Sequence, residues 1–154
     1  MNSIRFCALL VEDDPLVTEL ARIAAAESCP ELDLIVLEGV GAALEWLSGS
    51  IEKIEQVPYI ILLDLKLPKL DGLAMLRTIR HYPAMRNIPI VVFSTEYTQA
   101  DVLMSYQAGA NSFVAKPADQ EQFGELFREQ LAYWTEHRAG DMPAAAKGDV
   151  AGLI

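Results

Sequence analysis

Short runs of almost unbroken apolar residues recur along this chain, and a stretch with apolar positions at helical spacing follows each one. Residues 4–11 form the first run, ending in Glu12, Asp13, Asp14 and Pro15. The helical spacing of Leu16, Leu20, Ile23 and Ala24 then predicts a helix over 15–28, and Cys29 and Pro30 end it. Residues 32–37 predict a second strand, and residues 40–48 a second helix carrying Val40, Ala43, Leu44 and Leu47, closed by Gly49 and Ser50. Residues 51–57 fit either a longer helix or a loop. The run 59–63 ends abruptly on Asp64 and passes into a turn containing Pro68, Asp71 and Gly72. An apolar run of this length between turn signals reads as a strand buried on both faces.

Leu73, Leu76 and Ile79 predict a third helix over 73–80, broken by His81, Tyr82 and Pro83. Residues 89–93 give a fourth strand that meets Ser94 and Thr95, and a helix over 98–108 stops at Gly109, a natural left-handed helix end. Residues 112–115 make a brief fifth strand running into Lys116 and Pro117. The last helix, 119–136, places Phe123, Leu126, Phe127, Leu131 and Trp134 on one stripe. Five strand and helix pairs in strict alternation call for an α/β, doubly wound parallel sheet with helices on both faces. Residues 139–154 are rich in Ala, Gly, Asp and Pro without periodicity and read as a flexible tail behind one domain over 4–138.

Composition narrows the class of function. The chain of 154 residues, 52% hydrophobic and 22% charged, fits one domain with a full core and leaves little room for a second folded domain. No run approaches the length of a membrane span, and residues 1–6 lack the apolar segment of a signal peptide, so the expectation is a cytoplasmic protein with no membrane partner. Cys7 and Cys29 lack metal spacing and read as reduced thiols. A net charge of −10 argues against direct nucleic-acid binding, which depends on neutralising phosphates, and favours a protein partner.

The strand ends carry the chemistry. Glu12 with Asp13, Asp64, Ser94 with Thr95, and Lys116 each follow an apolar run, and in a doubly wound sheet the carboxyl ends of the strands converge on one crevice. The alternative for Asp64 taken alone is a turn-forming or helix-capping acid. Clustered carboxylates raise one another's pKa unless a cation joins them, and an oxygen-only pocket suits Mg²⁺ or Mn²⁺ sharing its shell with a phosphate. Lys116 adds a mobile positive charge able to pair with a carboxylate or a phosphoryl oxygen. Phosphoryl transfer is the chemistry these groups imply.

At these residues the chain resembles the receiver domain of two-component response regulators. The resemblance runs through Leu10 to Asp14, Leu63 to Gly72, Val92 to Thr95, Ala108 to Ala110 and Lys116 with Pro117, all in order. It implies a flavodoxin-like fold with strand order 2-1-3-4-5 and five helices. It also implies Asp64 as phosphoacceptor, and a Mg²⁺ (or Mn²⁺) site formed by Glu12, Asp13, Asp64 and the backbone carbonyl of Lys66. Asp13 is then the direct ligand of the acid pair, and Asp14 a helix-side neighbour. Ser94 and Lys116 would bond phosphoryl oxygens, Phe113 would take the place of the switch aromatic, and Lys116 to Pro117 would be a cis peptide. The implied partner is a sensor histidine kinase or a histidine phosphotransfer protein. Phosphorylation would switch the surface of the fourth helix, fifth strand and fifth helix for partner binding or homodimerisation, and self-dephosphorylation would reset it.

Further expectations concern positions where this chain is particular. Lys66 and Glu96 flank the phosphoryl path and are expected to pair across it and set the lifetime of the phosphoryl group; the alternative is that each points into solvent. Phe113 lacks the hydroxyl of the Tyr found in many receivers. The string from Asp64 to Lys69 looks like stand-alone receivers paired with bacterial phytochrome-type sensor kinases, a group whose extended last helix supports dimers, and Tyr133 and Trp134 fit that likeness. Trp134 on the stripe also reads as core. Val102 and Tyr106 are candidates for a partner patch, whereas His81 and His137 read as surface residues. Two rivals stand beside a phosphoaccepting, non-enzymatic signalling protein. A phosphorylation-independent receiver-like adaptor would not need the full set of polar strand ends. A haloacid-dehalogenase-type phosphatase would need a second Asp where Lys66 stands.

Overall fold

The computed structural model describes residues 7–51, 58–66 and 72–136. Five parallel strands, β1 (Cys7–Val11), β2 (Asp33–Leu37), β3 (Ile60–Asp64), β4 (Ile90–Ser94) and β5 (Ser112–Ala115), form one sheet in the order β2-β1-β3-β4-β5. Five helices alternate with them: α1 (Pro15–Ser28), α2 (Val40–Ile51), α3 (Gly72–His81), α4 (Gln99–Ala108) and α5 (Gln120–Glu136). Strand order and helix number are those the resemblance implies, a flavodoxin-like doubly wound sheet. Among the described residues no helix is long and apolar enough to cross a membrane, and neither Cys7 nor Cys29 is disulfide-bonded.

The sheet divides two apolar layers, because successive strand residues point to opposite faces. Leu9, Val11, Ile61, Leu63, Ile90 and Val92 pack with α2, α3 and Val102 of α4 on one side. Ala8, Leu10, Ile60, Leu62, Val91 and Phe93 pack with α1 and α5 on the other. Every residue of β1, β3 and β4 is buried, as the unbroken apolar runs require.

Several local expectations change. In α1 the core face is Val17, Ala21, Ala24 and Ala25, while Leu16 and Ile23 are exposed. Small side chains let α1 lie close to the sheet, so the stripe is set by approach distance rather than by the largest residues. The second helix runs on through Gly49 to Ile51; Gly49 is exposed, and an isolated glycine costs a helix only about 1 kcal/mol. A short 3-10 turn, Pro83–Met85, follows α3 and buries Met85. Val102 is buried and Tyr106 half-buried, and the large apolar residues that α4 exposes are Leu103 and Met104. Trp134 is buried with its indole N–H donating to Gln130 Oε1 at 3.2 Å, Tyr133 is exposed beside it, and His81 is exposed. Residues 4–6, 52–57 and 67–71, His137 and the tail 139–154 lie outside the described residues.

Two glycines fit positions that a side chain would disturb. A Cβ on Gly72 would stand 2.9 Å from the carbonyl oxygens of Asp64 and Leu65, so α3 begins hard against the β3 exit. Gly109 adopts φ 115° at the end of α4, the left-handed conformation that glycine accepts without strain.

Candidate functional site

Strand register assembles the site. Val11 pairs with Leu63, Asp64 with Phe93, and Ser94 with Ala115, so the residues that end each strand face one another at one edge of the sheet. The ladder extends past the strands: the Glu12 N–H donates to Leu37 O at 3.0 Å and the Lys116 N–H to Ser94 O at 2.9 Å. Both chemical groups therefore sit on hydrogen-bonded backbone. Asp14 caps α1, its Oδ1 accepting from the Leu16 N–H at 2.9 Å, with Pro15 at the start of the helix.

Glu12 and Asp64 are buried and Asp13 is exposed. One carboxylate oxygen from each lies within 4.8 Å of the others. Lys116 Nζ stands 3.0 Å from Glu12 Oε2 and 3.3 Å from Asp64 Oδ2, and 5.1 Å from the centre of the Phe93 ring. The second oxygen of each buried acid is also engaged. Glu12 Oε1 accepts from the Asp14 N–H at 3.2 Å, and Asp64 Oδ1 from the Lys66 N–H at 3.0 Å.

Burial raises the Glu12 pKa to about 7, with the Asp64 charge adding to the effect and Lys116 opposing it. Burial by itself would lower the Lys116 pKa, but its bond to Glu12 and the charges of Asp64 and Glu12 more than offset that, so the ammonium holds its proton more firmly than usual. A single ammonium thus pairs with two of three clustered carboxylates, which leaves the group short of positive charge. An oxygen-only donor set of this kind fits a hard divalent cation such as Mg²⁺ or Mn²⁺.

An open cleft of about 260 Å³ over these groups is lined also by Lys66, Ser94, Thr95 and Glu96. The Ser94 hydroxyl is fully buried and donates to the Glu96 carbonyl at 2.8 Å. Phe113 lies beneath, 1% exposed, with the Tyr97 ring packed edge-on at 5.1 Å between centres. Its backbone N–H donates to the Tyr106 hydroxyl at 3.1 Å.

Two sequence expectations are corrected here. Lys66 does not pair with Glu96: its Nζ lies 3.5 Å from Asp101 Oδ2 in the first turn of α4. Glu96 contributes its backbone carbonyl to Ser94 instead. The Lys116–Pro117 peptide is not cis, as no described residue has a cis bond; trans is the lower-energy form even before proline. Asp101, Tyr97 and Tyr106 were not singled out as neighbours of the site. A local signal existed for Asp101 alone, because Thr98 and Asp101 have the spacing of a capping box.

Residues 8–128 match the family described as the response regulator receiver domain. The chain belongs to that family. Among curated proteins this receiver is similar to Response regulator Rcp1 of Synechocystis sp., 32% identical over 130 residues, which are 83% of this chain and 88% of Rcp1. Among solved structures it is similar to the Mn²⁺-bound form of Rcp1, at 31% identity and a TM-score of 0.76 over 85% of this chain and 95% of that one. It is also similar to the phosphorylated cyanobacterial phytochrome response regulator RcpA, at 30% identity and a TM-score of 0.77 over 84% and 94%. A third likeness, to the bacteriophytochrome response regulator RtBRR, has 38% identity and a TM-score of 0.62 over 77% and 73%.

Proposed function

We propose that this receiver accepts a phosphoryl group on Asp64 from the phosphohistidine of a sensor kinase or a phosphotransfer protein. The observation that carries the reading is the approach of Lys116 Nζ to Asp64 Oδ2 at 3.3 Å, beside an acidic cluster open to a cleft. In the transfer, Asp64 Oδ2 forms a bond to phosphorus as the phosphorus–nitrogen bond breaks, and the electron pair stays on the imidazole. Lys116 exchanges part of its contact with Asp64 for a phosphoryl oxygen, offsetting charge where it accumulates. Its backbone, tied to Ser94 O, holds it in place while it does so.

Glu12, Asp13 and Asp64, with the Lys66 carbonyl, would hold Mg²⁺ or Mn²⁺. Such a cation, when bound, neutralises phosphoryl charge and holds the group in line. The Ser94 hydroxyl then turns from the Glu96 carbonyl to a phosphoryl oxygen, and Phe113 moves toward the space it leaves. Movement there alters α4, β5 and α5, the surface assigned to partner binding or dimerisation. Water later cleaves the acyl phosphate and returns the site to rest.

The receiver spanning 4–138 acts in the cytoplasm, and its output is contact with another protein rather than with nucleic acid. The names of the similar proteins RcpA and RtBRR support a phytochrome-type kinase as the source of the phosphoryl group. Intact mass after incubation with acetyl phosphate and Mg²⁺ tests the reading. One phosphoryl adduct is expected in wild type and none in Asp64→Ala or in EDTA. An equal adduct in Asp64→Ala overturns the assignment.

A further inference from the structure

Lys66 touches two functional elements at once. Its backbone N–H donates to Asp64 Oδ1 at 3.0 Å, and its side chain reaches Asp101 Oδ2 at 3.5 Å. That same Oδ2 accepts the Thr98 N–H at 2.9 Å, while Thr98 Oγ1 accepts the Asp101 N–H at 3.1 Å, the reciprocal pair that starts α4. The Asp101 pKa lies below the ordinary value, chiefly through the Thr98 N–H and further through the Lys66 charge. The loop after β3 is thereby clipped to the first turn of α4, independently of Ser94 and Phe113.

We propose that the Lys66–Asp101 ion pair is a second line of coupling, through which occupancy of Asp64 is conveyed to the start of α4. This rests on the reading of Asp64 as phosphoacceptor. Lys66 is a positioning residue in this scheme, and Asp101 is its anchor. The Lys66 side chain is 57% exposed and that of Asp101 21%, so the pair is weak and readily exchanged. A phosphoryl group on Asp64 adds nearly two negative charges close to the Lys66 backbone. The flexible ammonium then re-partners with a phosphoryl oxygen and releases Asp101. The capping carboxylate loses a cation that held its orientation, and the first turn of α4 loosens while its last turn stays fixed by Gly109.

The amide protons of Thr98 and Asp101 report this directly by hydrogen exchange followed with NMR. In the metal-free protein Lys66→Gln is expected to speed their exchange about 2- to 5-fold, the range a partly exposed pair supports. Lys66→Arg, which keeps the charge, is expected to restore the wild-type rate, and amides in the α5 interior to be unaffected in both. Loading wild type with Mg²⁺ and beryllium trifluoride, a phosphoryl mimic, is expected to speed the same two amides to the Lys66→Gln level. Loading Lys66→Gln should add less than loading adds to wild type, leaving only what Ser94 and Phe113 convey to α4.

Unchanged Thr98 exchange in Lys66→Gln overturns the proposal, as does an equal response to loading in wild type and Lys66→Gln. Uptake of the mimic is read separately by fluorine NMR. If wild type takes it up and Thr98 does not respond, the coupling alone falls. If wild type takes up none, the phosphoacceptor reading falls and the coupling with it.

Discussion

Lys116 Nζ and Glu12 Oε2, from residues following the last and first strands of the sheet, meet at 3.0 Å in a pocket where Glu12 is 1% exposed. Removing one partner of a buried pair leaves the other charge uncompensated, at about 3 to 5 kcal/mol. Partial proton uptake by Glu12 softens that loss. Lys116→Met is therefore expected to destabilise the metal-free protein by about 2 to 4 kcal/mol, measured by urea unfolding in EDTA. Added Mg²⁺ should recover more stability in the variant than in wild type.

Asp64 is expected to act in the opposite direction. Its charge is one of the causes that push the Glu12 pKa to about 7, so it works against folding in the absence of a cation. Asp64→Asn keeps one acceptor oxygen, enough for the Lys66 N–H, and leaves Lys116 its bond to Glu12, while removing that repulsion. The metal-free variant should gain about 1 kcal/mol and lose the phosphoryl adduct. A lower urea midpoint than wild type would contradict this account.

Arg80 is another half-buried cation, and no carboxylate meets it among the described residues. Its guanidinium donates to Gly109 O at 3.0 Å, Met85 O at 2.7 Å, Arg86 O at 3.2 Å and Asn111 Oδ1 at 2.7 Å. Burial lowers its pKa to about 10. Arg80→Ala strands several half-buried acceptors and should cost about 2 to 4 kcal/mol, with Arg80→Lys recovering less than half because an ammonium lacks the planar fork. Gly109→Ala should cost about 1 to 3 kcal/mol, since its φ of 115° strains any other residue and its Cβ would stand 2.6 Å from Arg80 Cγ. A double-mutant cycle should show the two losses to be less than additive.

Tyr106 gives the open edge of β5 a hydrogen-bond acceptor at Phe113. Tyr106→Phe is expected to cost about 0.5 to 1.5 kcal/mol and to raise exchange at the Phe113 amide while Val92 in β4 stays protected. Equal protection at Phe113 in both proteins would remove the hydroxyl from the account of the switch strand.

Much of this was legible along the chain because the relevant signals are local. Unbroken apolar runs gave β1, β3 and β4, and the polar residue after each run marked the edge where Glu12, Asp64 and Ser94 meet. Gly109 marked the end of α4. The misreadings share a cause. Leu16 and Ile23 drew the α1 stripe one position away from Val17 and Ala21, because small residues carry little hydrophobic signal though they permit the closest packing. Val102 and Tyr106 were turned outward for lack of any knowledge of where α4 approaches the sheet. Arg80 looked like an ordinary cation in the last turn of a helix, and only the fold brings Asn111 and Gly109 to it. Lys66 had two acids within conceivable reach, and the position of α4 chose Asp101 over Glu96.

The division of the apolar interior into two layers has a consequence for how the chain acquires its structure during synthesis. One layer draws its buried residues from Leu9 to Phe113, whereas the other requires Phe123, Phe127, Leu131 and Trp134 against α1. As the polypeptide leaves the ribosome, the first layer can close while α1 still waits for α5. Ala21, Ala24 and Ala25 wait over that interval together with Ile60, Leu62, Val91 and Phe93 on the same face of the sheet, so the last helix closes the larger apolar side chains as well as the small ones.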